Sequence, residues 1–131
     1  MELNFKDKFS RADFEALKSV IEYVLLNLVE PNVEERLMLA NLHEIHHTIR
    51  KKQVELKTEY KLTLTAPQAI ALRLMYLLYM QDEAKELLQK SKAGALLPSL
   101  MVKMMMVCNK IDHQYQITDE RTKVYALSAS N

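Results

Sequence analysis

Glycine and tryptophan are the scarcest residues of this 131-residue chain, which has one Gly, at position 94, and no Trp. Nucleotide-binding loops need several glycines so that the backbone can approach the phosphate groups. A single glycine therefore excludes P-loop and dinucleotide-binding proteins. The chain also has only three prolines. The scarcity of glycine and proline argues against an all-β fold, because the many turns of such a fold depend on these two residue types.

The chain also has little cysteine and little net charge. The one cysteine, Cys108, cannot form an internal disulfide or a cysteine-based zinc site. It lies on the apolar face of a predicted helix, which indicates a buried structural thiol, and a lone cysteine is typical of a reducing, cytoplasmic compartment. Eighteen Lys and Arg residues against seventeen Asp and Glu give a net charge of +1. We therefore expect no general attraction to nucleic acid or to an anionic membrane.

Long hydrophobic runs are missing too. The charged residues 1–9 lack the apolar centre of a signal peptide. No apolar run reaches the roughly 20 residues that a membrane-spanning helix needs. The sequence thus predicts no membrane association.

Apolar residues nevertheless make up 49% of the chain, and they recur at helical spacing in four segments. A chain of this length forms one domain with its own core. We predict a single helical domain over residues 1–131, with an ordered core over about 10–117 and a polar tail over 118–131. The predicted fold is all-α, a four-helix antiparallel bundle or a close variant.

Short polar residues mark the starts of three predicted helices. Ser10, Asn32 and Thr65 each stand just before a segment with helical spacing of apolar residues, and such a side chain accepts hydrogen bonds from the amides of a first helical turn. Proline at position 67 suits the first turn of the third helix. The four helices are predicted over residues 10–28, 33–56, 66–91 and 97–115.

One segment departs from the helical period. In residues 60–65, YKLTLT, Leu62 and Leu64 alternate with polar residues, which is the pattern of a half-buried strand. A strand needs a partner, and residues 3–5 and 124–127 are the available candidates. The sequence therefore predicts a small β appendage of two or three strands.

The most apolar segment is residues 69–80, AIALRLMYLLYM, in which Arg73 is the only charged residue. A helix that is apolar nearly all round is buried in a core or against a partner. When the whole third helix is projected at about 100° per residue, Ile70, Leu74 and Leu77 share the apolar face of its second half. We assign these three residues to the core of the chain itself.

The opposite face of the same segment predicts a contact with a partner. Leu72, Tyr76 and Tyr79 lie there, and Met106 is an apolar residue on the polar side of the fourth helix. Tyrosine can bury its ring while its hydroxyl stays in water, a common property of interface residues. The leading prediction is therefore a non-enzymatic helical interaction module that forms a homodimer. The alternative is that these residues pack against the helices of their own chain.

His43, Glu44 and His47 form the one pattern that is typical of an enzyme. In H-E-x-x-H on a helix, two histidines four residues apart can share a zinc ion, and the glutamate can act as general base on the bound water. Residues 43–47 resemble the zincin metallopeptidase signature. The resemblance implies a zinc-dependent hydrolase as the alternative function and zinc as the alternative cofactor.

Two features of the sequence weigh against that alternative. A catalytic zinc needs a third protein ligand, and the candidates Glu83, Glu86 and His113 belong to no recognisable second motif. The helical projection also places both histidines of the pattern away from the apolar stripe of their helix. We expect no catalytic residue and no metal.

A third possibility is a nucleic-acid contact by the basic residues 50–57. Arg50, Lys51, Lys52 and Lys57 point in different directions on the helical projection. Cations also suit the C-terminal end of a helix, where the helix dipole is negative. We therefore predict a solvated helix end, without a nucleic-acid partner.

Overall fold

The computed structural model of the protein describes residues 3–81 and 97–118, most of which are helical. In chain order the elements are β1 (Phe5–Ser10), α1 (Arg11–Asn27), α2 (Val33–Lys52), β2 (Glu59–Leu64), α3 (Ala66–Met75), a π turn (Tyr76–Met80) and α4 (Leu97–Tyr115). A mostly helical fold with a small antiparallel sheet is thus confirmed. Apart from Thr118, the predicted polar tail over 118–131 lies outside the described residues, and so does the predicted end of the third helix.

Hydrogen bonds confirm the three helix starts. The Ser10 hydroxyl accepts a bond of 3.1 Å from a first-turn amide of α1. Asn32 and Glu35 exchange side chain–backbone bonds at α2, and Thr65 and Gln68 do the same at α3. These bonds satisfy amides that a helix N-terminus leaves without intrahelical partners.

The two strands form an antiparallel ladder in which Phe5 faces Leu64 and Phe9 faces Tyr60. All four residues are buried. The N-terminal candidate is therefore the partner of β2, and residues 124–127 lie outside the described part of the chain. Because the inner face of the sheet joins the main core, the ordered core begins at Phe5 and not near residue 10.

Each helix buries one apolar stripe beneath this sheet or against another helix. The ring of Phe14 on α1 stacks on that of Tyr60, with centroids 4.7 Å apart, so α1 is fixed to the sheet. Cys108 on α4 is buried, as predicted. The other fully buried helix residues include Leu17, Ile21, Met38, Leu42, Ile45, Ile49, Leu100, Met104, Val107 and Ile111.

Helix α2 ends at Lys52 and not at residue 56 as predicted, and Leu56 is exposed. The cause is a tyrosine of the following strand. The Tyr60 hydroxyl donates to the Glu55 carbonyl and accepts a bond from the Lys57 amide. These bonds fold the connection back onto the sheet instead of letting the helix continue.

The predicted division of α3 into two faces is reversed at Leu72, Tyr76 and Ile70. Leu72 is 0% exposed and Tyr76 is 7% exposed, whereas Ile70 is 44% exposed. Leu74 and Leu77 are half-buried and pack against the core, as predicted. The assignment of Leu72 and Tyr76 to a partner surface is therefore wrong, because the chain's own core covers both.

The buried positions of α3 differ in phase from the predicted ones. Ala69, Arg73 and Tyr76 are buried, one position before each of the residues 70, 74 and 77 that were predicted. The prediction projected the third helix as one uniform α-helix, whereas Tyr76–Met80 form a π turn, and π hydrogen bonding adds about one residue to a turn.

Within residues 3–81 and 97–118, no helix combines the length and the apolarity that crossing a bilayer requires.

Candidate functional site

The residues of the zincin-like pattern lie on the outer surface of α2. His43, Glu44 and His47 are all exposed. Residues four apart share a helix face, so the two histidines are neighbours on the solvent side. The Glu44 carboxylate accepts a 2.9 Å bond from the Gln68 amide of α3, which ties it to the next helix.

A third zinc ligand is missing from the described residues. His113 is exposed on α4, and Glu83 and Glu86 lie outside the described ranges. Among residues 3–81 and 97–118, no group of three His, Cys, Asp or Glu side chains is arranged to hold a metal ion. His46 turns inward, with Nε2 2.9 Å from the Glu22 carboxylate of α1, and thereby joins two helices.

The basic end of α2 borders a concavity of about 430 Å³. The Lys57 ammonium lies 3.6 Å from the Glu55 carboxylate, so the positive charge of Lys57 at this concavity is partly neutralised. The negative end of the α2 dipole also favours cations there over a bound anion. The lining residues are Lys51, Lys52, Val54, Glu55, Lys57, Tyr60 and Lys61.

Asp7 joins the sheet to α4 through two lysines. Its carboxylate oxygens lie 3.3 Å from the Lys103 ammonium and 3.2 Å from that of Lys110. Burial acts to raise the pKa of Asp7, but the Lys8 amide and the two ammonium groups outweigh it and lower the pKa. Lys103 also lies over the Phe9 ring, 5.2 Å from its centroid. A carboxylate held ionised in this way fastens two elements and is unsuited to general acid catalysis.

Arg73 and Asp112 join α3 to α4. The Arg73 Nε donates to the Asp112 carboxylate at 2.5 Å. Cys108 lies one helical turn before Asp112, and its pKa is raised to about 12 by burial and by the negative charge of Asp112, against the opposing effect of Arg73. The thiol is protonated at neutral pH, so it is a poor nucleophile.

An apolar groove of about 420 Å³ lies between α2 and α3 on the outer surface. Leu37 is 64% exposed along it, and Ile70 borders it from the other helix. Large aliphatic side chains on both walls make this concavity strongly apolar. Its lining residues are Glu34, Leu37, Met38, Asn41, Ala66, Pro67, Ile70, Ala71 and Leu74.

Two hydrogen bonds show the relative direction of α2 and α3, the helices that form the groove walls. The Tyr79 hydroxyl donates to the Glu35 carboxylate at 2.8 Å, near the start of α2. Glu44, further along α2, bonds Gln68 near the start of α3. The two helices are therefore antiparallel along the groove.

Exposed apolar residues extend the groove at one end. Val33 precedes Leu37 by one helical turn, and Leu78 follows Leu74 by about one turn; Val33 and Leu78 are both exposed. We call the set Val33, Leu37, Ile70, Leu74 and Leu78 the α2–α3 face. Exposed apolar side chains around a groove are a feature that interaction sites share.

The predicted interface residues compare with this face as follows. Tyr79 is half-buried and bonded to Glu35 within the chain. Met106 is exposed on α4, beside the exposed Val102 and Met105, and so belongs to a separate apolar patch.

Sequence reasoning missed Val33 and Leu37. Both lie off the buried stripe of α2, which includes Met38 and Leu42. An apolar residue outside that stripe is the sequence pattern that could have indicated an exposed apolar face.

Comparison with known proteins finds no relative: no family model, no curated protein and no solved structure matches the chain. The function must therefore be argued from the geometry described above.

Proposed function

We propose that the protein is a non-enzymatic, cytoplasmic interaction module that pairs with a second copy of itself through the α2–α3 face. The observation that carries the proposal is the exposure of large aliphatic side chains around the groove, Leu37 and Ile70 above all. Burying one such side chain completely contributes about 1.5–3 kcal/mol. In a symmetric pair each residue contributes twice, because both copies use the same surface.

The polar residues around this face suit an interface. Glu34 and Asn41 line the groove beside its apolar walls, and Arg36 and Glu44 are exposed on α2. Protein interfaces combine an apolar centre with a polar rim in this manner. The net charge of +1 also means that two copies repel each other little.

The proposal includes the finer architecture. The turn between α1 and α2 is short, which favours antiparallel neighbours, and the groove contacts make α2 and α3 antiparallel as well. We infer an antiparallel four-helix bundle with the two-stranded sheet as its appendage. Its α2–α3 pair presents the outward apolar face.

The experiment measures self-association of the full chain by sedimentation velocity over a range of concentrations. Leu37→Glu brings two carboxylates into the apolar contact of a symmetric dimer, and each must be desolvated at a cost of several kcal/mol. We expect the dissociation constant to rise about hundredfold or more.

Met106→Glu is the matched control, because it puts the same charge on the separate apolar patch of α4. We expect this variant to associate like the wild type. Circular dichroism checks that both variants fold. A wild type that stays monomeric at its highest soluble concentration would refute the proposal, and so would a Leu37→Glu variant that associates normally.

A further inference from the structure

The exposed side of α2 carries opposite charges at equal distances from its middle. Ala40 is exposed near the centre of the helix. Arg36 lies four residues before it and Glu44 four residues after it, and both are exposed. Residues separated by one turn share a helix face, so all three residues lie on the solvent side.

This arrangement is complementary to itself when the helix is reversed. In an antiparallel pair related by a twofold axis at Ala40, each residue before the centre faces the residue equally far after it in the other copy. Arg36 then lies opposite Glu44 of the partner subunit, and the reverse pair forms as well. The small side chain of Ala40 lets the two helices approach closely at the axis.

The apolar stripe of α3 is centred at the same level. Contacts join Glu35 to Tyr79 and Glu44 to Gln68, so Ala40 lies about level with Arg73. The stripe from Ile70 to Leu78 extends to both sides of that level. One twofold axis therefore places apolar residues of α3 against apolar residues of the other α3 while it pairs the charges of α2.

Neither of these charges is neutralised by an ion pair among the described residues. Among residues 3–81 and 97–118, no carboxylate forms an ion pair with Arg36, and the Glu44 carboxylate bonds the uncharged amide of Gln68. Both therefore have bonding capacity to offer another molecule.

We infer that the second copy docks with its α2 antiparallel to the first across a twofold axis at Ala40, with reciprocal Arg36–Glu44 ion pairs. The inference rests on the proposed self-association. To that self-association the inference adds the register of the two helices, their relative orientation and the residues that select the partner. Opposite charges at matching positions fix register and suppress wrong partners more than they add affinity.

The test is a charge exchange measured by sedimentation velocity at low salt. Arg36→Glu replaces two attractions of the symmetric dimer with two repulsions, and Glu44→Arg does the same. Each single variant is expected to weaken association about tenfold. The double variant restores both pairs with their signs exchanged, and we expect its dissociation constant to return to within about threefold of wild type. Lys61→Glu, an equal charge reversal on the exposed side of β2, is the control and should change little.

The outcomes separate the register from the self-association. Rescue by the double variant, together with dissociation by Leu37→Glu, supports both. If Leu37→Glu dissociates the dimer but the double variant is no better than the single ones, the register is overturned and the self-association stands. A wild type that is monomeric at every concentration overturns the self-association and the register with it.

Discussion

The ion pair between α3 and α4 allows a quantitative test of how the core is held together. The Arg73 side chain is 10% exposed and that of Asp112 is 32% exposed. Asp112→Ala leaves the guanidinium of Arg73 buried beside an apolar side chain. Removing one member of a fully buried pair costs about 3–5 kcal/mol. Water reaches Asp112 in part, so we expect a loss of about 2–3 kcal/mol in the free energy of unfolding.

The reciprocal variant should cost less. Arg73→Met retains an unbranched apolar side chain, and the carboxylate left behind is the more exposed partner. We expect a loss of about 1–2 kcal/mol. The double variant Arg73→Met/Asp112→Ala leaves no buried charge at this position, so its loss should be smaller than the sum of the two single losses.

Urea unfolding followed by circular dichroism measures these values. Stability in water is typically about 5–15 kcal/mol for a domain, so each loss lies well within reach of the assay. The reasoning is refuted if Asp112→Ala costs less than Arg73→Met, because the asymmetry of burial would then not decide the cost. It is also refuted if the two single losses simply add.

Two further predictions concern the core and its attachment to the sheet. Leu72→Ala should lower the free energy of unfolding by about 2–5 kcal/mol, because it opens a cavity at a fully buried site; a loss that depends on protein concentration would instead return Leu72 to an interface. For Asp7, the folded pKa lies below the ordinary value of 3.8, so its contribution is present above about that pH and is lost as the pH falls through the folded pKa. The urea midpoint should therefore fall more for wild type than for Asp7→Asn between about pH 6 and about pH 2.5, and parallel curves would contradict this role.

The correct parts of the sequence prediction came from patterns among residues that are close in the sequence. Ser10, Asn32 and Thr65 predicted helix starts because a cap and its helix lie within four residues of each other. The alternation of Leu62 and Leu64 predicted β2 for the same reason. Each of these features depends on neighbours in the sequence and needs no knowledge of the rest of the fold.

Long-range contacts account for what the sequence did not predict. The extent of β1 depends on its pairing with β2, which places Phe5 opposite Leu64. The early end of α2 depends on a hydroxyl in that same strand. The candidate site depends on which apolar residues stay exposed, and this cannot be decided from Val33 or Leu37 without knowing where α3 lies.

The third helix shows why burial was hard to assign in the segment on which the fold depends most. In a helix that is apolar nearly all round, its one charged residue would normally mark the outward face. Arg73 does not mark that face here, because Asp112, 39 residues further along the chain, pairs with it in the core. The segment nevertheless has more apolar surface than one core contact can cover. Turning Leu72 and Tyr76 inward leaves Ile70 and Leu78 outward, so an exposed apolar face follows from the composition of the segment in either orientation. The rotation of α3 about its axis was wrongly predicted, but the expectation of a partner surface does not depend on it. The rotation decides only which residues form that surface.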